Sequence, residues 1–130
     1  MKLSDFKNIH TEGCRAYIIG KGPSLDRIDE IREQLNQLHT AIFCCNESIR
    51  KIEDLGLKHP SIYAVQQDSE LEYDCVPRLS TTIHFMNEFQ HSPSSKRKEI
   101  IKESPWNSQA VVYGYPELAG NTTLSAIVCA

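Results

Sequence analysis

No stretch of eighteen apolar residues occurs in the chain, and its opening Met1-Lys2-Leu3-Ser4-Asp5-Phe6 contains no apolar core. Neither a membrane span nor a secretory leader is indicated, so the expectation is a cytoplasmic protein. Five cysteines, Cys14, Cys44, Cys45, Cys75 and Cys129, are odd in number and show no Cys-x-x-Cys spacing, which argues against a disulfide framework and a zinc knuckle. Five histidines, His10, His39, His59, His84 and His91, share no ligand spacing, and no metal site is expected from them. Basic excess is also missing: 14 Lys and Arg face 17 Asp and Glu, a net charge of −3, which argues against a nucleic-acid binder that relies on a broad basic surface. The one basic run, Lys96-Arg97-Lys98, is followed by Glu99 and Glu103 and reads as a solvated helix face.

What is present fits a single domain over residues 1–130, long enough to bury roughly two-thirds of its unfolded surface. Four residues suited to a buried strand, Ala16-Tyr17-Ile18-Ile19, lead into Gly20-Lys21-Gly22-Pro23-Ser24, and an amphipathic segment follows at once. Leu25, Ile28, Ile31, Leu35 and Leu38 recur at steps of three or four, predicting one helix with a single buried stripe, Ser24 as its N-cap and Asp26 in its first turn. Thr40–Cys45 is a uniform apolar run, expected to be a strand buried on both faces, with Cys44 and Cys45 as small buried hydrophobes. Ile49, Ile52 and Leu55 predict a second helix over 47–55, closed by Gly56. Strands are further expected at 61–66, 81–86 and 110–113, with a helix from the Ser92-Pro93-Ser94-Ser95 turn to about Glu103.

This alternation describes an α/β domain, Rossmann-like, with a mainly parallel sheet between two helical layers. The last segment, Leu124–Ala130, begins like a buried helix and stops, so the chain reads as the front part of a longer domain, or as one whose last helix docks elsewhere.

In such sheets ligands bind beyond the C-terminal ends of the strands, where the strand order reverses. The candidates there are Gly20, Lys21, Gly22, Pro23 and Ser24 after strand one, Asn46 and Glu47 after strand two, Gln66–Ser69 with Asp68 after strand three, and Gly120, Asn121, Thr122 and Thr123 at the last helix start. Each also has a plain structural role: the glycines make a tight turn, Asn46 caps helix two, Asp68 is solvated in a loop, and Asn121 or Thr122 caps a helix. The loop is not a P-loop, since the Gly-x-x-x-x-Gly-Lys-Ser/Thr spacing is absent, nor the full dinucleotide fingerprint, since Leu25 stands at the third glycine. A helix start attracts an anion by about 0.3–2 kcal/mol. Micromolar binding needs about 8 kcal/mol, so contacts at several strand ends would have to combine.

The run Ile18-Ile19-Gly20-Lys21-Gly22-Pro23-Ser24-Leu25-Asp26-Arg27-Ile28 resembles the Gly-Asn-Gly-Pro-Ser-Leu signature of bacterial CMP-sialic-acid-dependent sialyltransferases and of the related motility-accessory and 6-hydroxymethylpterin pyrophosphokinase-like proteins. Phe43-Cys44-Cys45-Asn46 is similar to that group's second strand, and Gly120–Ala130 to its Ser/Thr-Gly segment opening a helix. The resemblance implies a nucleotide-sugar-binding, glycosyltransferase-like domain, with Gly20, Gly22, Pro23, Ser24, Asn46 and the Gly120–Thr123 turn contacting a cytidine nucleotide. Lys21 departs from the family's asparagine and brings charge towards a phosphate. The implied partners are a nucleotide-sugar, CMP-linked in that family, and a glycan acceptor, with no tightly bound cofactor; a homo-oligomer stays open. The family's catalytic histidine follows the region matched here, and no catalytic residue is assigned. A non-catalytic interaction module of the same fold, or a pterin or nucleotide pyrophosphokinase, is the alternative.

Overall fold

The structure, a computed structural model, describes residues 13–66, 82–87 and 110–113. Five strands are found among them: β1 Arg15–Ile19, β2 Thr40–Cys45, β3 Ser61–Gln66, β4 Ile83–Asn87 and β5 Ala110–Tyr113. Each is parallel to its neighbour, and their order across the sheet follows the chain, β1-β2-β3-β4-β5. The α/β class and the parallel sheet expected from the sequence are present. The expected reversal of strand order is not found among the described strands: β1 has β2 as its only described neighbour.

That order has a consequence for layering. Right-handed crossovers that keep stepping in one direction leave their helices on one face of the sheet. The described helices obey this. Leu35 and the half-buried Ile28, which follow β1, and Ile49 and Ile52, which follow β2, pack against Ile42, Cys44, Ile62 and Ala64 on a single face. Alternation along the strands turns Ala41, Phe43, Cys45, Tyr63, Val65 and Phe85 to the opposite face, where they form a second buried cluster. Phe43 stacks on Tyr63 with ring centroids 4.8 Å apart, and Tyr63 meets Phe85 at 5.5 Å, so three neighbouring strands share an aromatic ladder. All six residues of β2 are buried, as its apolar run requires.

Where one amphipathic helix was expected over Leu25–Leu38, the chain forms a 3-10 helix, Pro23–Ile31, and then the single α-turn α1, Arg32–Leu35. Arg27 breaks the first piece with φ −107° and ψ 16°, and Ile31 breaks the junction with φ −109° and ψ 18°. Tighter winding moves residues off a 3.6-residue stripe, so of the five apolar positions Leu35 is fully buried while Ile31 is 37% and Leu38 68% exposed. The cap also differs from expectation. Gly22 is the N-cap and Pro23 the first helical residue, so Ser24 lies inside the helix. Helix α2 spans Ser48–Asp54, and Gly56 takes φ +62° just beyond it, the left-handed geometry for which glycine pays no side-chain penalty. The helix expected over 92–103 and the terminal segment from 114 onward lie outside the described residues.

Leu35→Ala is expected to cost about 2–5 kcal/mol, because it empties a fully buried site. Leu38→Ala should stay within about 0.5 kcal/mol, as for an exposed position. Urea unfolding of the two variants measures this directly; equal costs would restore the continuous helix.

Candidate functional site

Parallel pairing brings the ends of β1 and β2 together. The last register pair is Ile19 with Cys44, so the chain leaves both strands on the same edge: Gly20–Ser24 from one, Asn46–Ser48 from the other. Two side-chain contacts join them. Lys21 Nζ lies 3.1 Å from Glu47 Oε2, and Ser48 Oγ donates to the Ile19 carbonyl at 3.0 Å. A third contact, Lys51 Nζ to Asp26 Oδ1 at 3.1 Å, ties α2 to the 3-10 helix from the solvent side. Ser48 is fully buried, so its bond to the last carbonyl of β1 anchors the loop, whereas the Lys21–Glu47 pair, with both side chains a little under half exposed, is worth about 0–1 kcal/mol.

The glycine loop is more open than a tight turn requires. Neither Gly20 nor Gly22 has a φ in the left-handed region, and among the described residues, chain neighbours apart, a Cβ at either would meet no atom within 4 Å. No conformational need or close packing within the protein demands glycine at these two positions. The adjoining helix start is a weaker anion site than the sequence implies: Pro23 has no N–H, and Leu25 N–H already donates to Gly22 O at 2.9 Å. One well-formed helical turn before the break at Arg27 also carries little of a helix dipole. The formal positive charge beside the loop is that of Lys21.

Asn46 is not the cap of helix two that its type suggests. Glu47, not Asn46, is the N-cap of α2. Asn46 takes φ +52°, a left-handed conformation that asparagine adopts more readily than most residues, and its N–H donates to Val65 O at 2.9 Å. It is buried, 5% exposed, and its left-handed backbone turns the chain from β2 into α2. Glu47 is the residue that does face solvent here. Its partial burial pushes its carboxyl up, but its own backbone N–H and then Lys21 more than offset this, and the group sits below the ordinary carboxylate range. Ser48 was not singled out from sequence. The available signal was its place one helical turn before Ile52, on the buried stripe of α2.

Among the described residues no cluster of three or more His, Cys, Asp or Glu side chains is placed to hold a metal. None of the described helices is long and apolar enough to cross a membrane. Burial first, and the neighbouring Cys45 and Glu53 next, push the Cys44 thiol well above its usual range, which keeps it an unreactive core group. Gly120, Asn121, Thr122 and Thr123, as well as Asp68, lie outside the described residues. An open depression of about 510 Å³ lies at the other end of the sheet, lined by Arg15, Gln34, Leu38 and His39 among others, away from the glycine loop.

No family model, no curated protein and no solved structure matches the chain.

Gly20→Ala and Gly22→Ala should leave stability unchanged or raise it by about 0.4–1 kcal/mol, through the unfolded chain, because both sites accept a Cβ. Thermal unfolding measures this, and a loss above 1 kcal/mol would return the glycines to a purely conformational role. The Glu47 carboxyl should titrate below the ordinary glutamate range, and Lys21→Met should raise its midpoint towards that range, as followed by side-chain NMR. Because the folded midpoint is depressed, the stability Glu47 contributes is complete above the unfolded value and is lost as pH falls through the folded one.

Proposed function

We propose that the chain is a nucleotide-binding α/β domain of a cytoplasmic, nucleotide-sugar-dependent glycosyltransferase, Rossmann-like with a second helical layer over the aromatic face. The observation that carries the reading is the pair of glycines at the C-terminal end of β1, open above both Cα atoms and flanked by Lys21 and Glu47. A phosphate could approach this backbone without meeting a side chain, which is the use for which a loop spends two glycines that its own conformation does not need. In this reading Gly20, Gly22 and Lys21 face the phosphate. Ser24, exposed in the first helical turn, adds a hydroxyl. The Gly120–Thr123 turn supplies a further contact. Sugar transfer would proceed by displacement of the nucleotide leaving group onto a glycan acceptor. No catalytic base is assigned.

One observation favours a second reading, a non-catalytic interaction module of the same fold: the helix start offers few free backbone donors, because of Pro23 and the Gly22–Leu25 bond.

Titration of the purified chain with CMP, UMP, ADP and NAD separates the two. Saturable binding of a nucleotide is expected, weakened about tenfold or more by Gly22→Val, a side chain that fills the open space while the fold persists by circular dichroism. Asn46→Ala is a poor probe, since it strains a left-handed position by about 1–2 kcal/mol and reports on folding as well. No saturable binding of any of the four, or binding indifferent to Gly22→Val, would leave the interaction module.

A further inference from the structure

The cation of the glycine loop already has an anion beside it. Lys21 Nζ and Glu47 Oε2 are 3.1 Å apart across the mouth formed by the ends of β1 and β2, and both remain near half exposed. The carboxylate comes from the N-cap of α2, which the buried Ser48–Ile19 bond ties to β1, so the backbone of Glu47 is held beside the loop while its side chain stays near half exposed. A phosphate entering over Gly20 and Gly22 to reach Lys21 meets that carboxylate, and among the described residues, chain neighbours apart, no atom lies within 4 Å of where a Cβ would stand on either glycine.

We infer that Glu47 is a built-in competitor for the anion site, a resident carboxylate that the ligand's phosphate must displace from Lys21. The inference rests on the nucleotide reading and adds a specificity role to it. An exposed ion pair is weak and screened by salt, so it can exchange, yet it sets a threshold. Ligands that bring only negative charge are repelled by Glu47, and those that bring a base or sugar to the neighbouring strand ends can offset the displacement. A free inorganic anion would thus be excluded from a site that a nucleotide can enter. Asp26, a second described carboxylate near the loop, is engaged by Lys51 on the solvent side at 3.1 Å.

The test is a double-mutant cycle on the full chain, with CMP and inorganic phosphate as probes, read by calorimetry, and circular dichroism on each variant. Glu47→Gln should tighten CMP binding about fivefold, the effect of removing one unit charge about 4 Å away in water, and should bring phosphate binding into the measurable range. In the Lys21→Met background the same substitution should give less than about a twofold change. Glu33→Gln, an exposed acid at the other end of the sheet, controls for overall charge and should change binding by less than about twofold. Two results overturn the competitor role while leaving nucleotide binding intact: unchanged or weaker binding of CMP by Glu47→Gln, or an equal gain with and without Lys21. Absence of CMP binding in every variant overturns both.

Discussion

The double-sided burial of β2 is the constraint on which the rest depends. Thr40–Cys45 has no solvent-facing residue, so it lies inside the sheet with both of its faces buried. Its even-numbered residues Ile42 and Cys44 take the helices, and its odd-numbered Ala41, Phe43 and Cys45 take the aromatic ladder. Burying side chains such as Phe43 and Ile42 is worth about 1.5–3 kcal/mol each, several times an exposed ion pair. The surface pairs Lys21–Glu47 and Lys51–Asp26 therefore trim the geometry at the strand ends, and the core decides it.

Parallel pairing converts that core into a site. Two parallel strands end on the same edge, so the loops that follow β1 and β2 are neighbours although 26 residues separate Lys21 from Glu47. A buried hydroxyl then ties them together: Ser48 donates to the last carbonyl of β1. The mouth that results brings open glycine backbone together with Lys21 and Glu47. It has less helix-terminus character than its sequence suggests, because proline and a 3-10 bond use up the backbone donors.

Much of the fold was legible in the sequence, and for identifiable reasons. Strands β2, β3 and β5 lie where continuous apolar runs of strand length place them, and Gly56 ends α2 because a left-handed turn after a short apolar stripe has few other solutions. The misreadings came where local periodicity was ambiguous. The Leu25–Leu38 stripe fits a 3.6-residue period, but Pro23 starts the segment as 3-10, and with the interruptions at Arg27 and Ile31 the stripe loses its outer members to solvent. Asn46 fits a cap by composition, yet the chain needed a left-handed residue there to turn from β2 into α2.

The sequence by itself determined which segments are strands, that the sheet is covered on both sides at β2, and that a glycine-rich loop follows β1. Those properties follow from hydrophobic pattern and backbone freedom, which are local. The tertiary structure alone decided that the strands run in chain order, that Lys21 meets Glu47, that Ser48 anchors the loop and that Asn46 turns inward. These are set by which strands pair and in what register, and no local pattern specifies a contact across 26 residues.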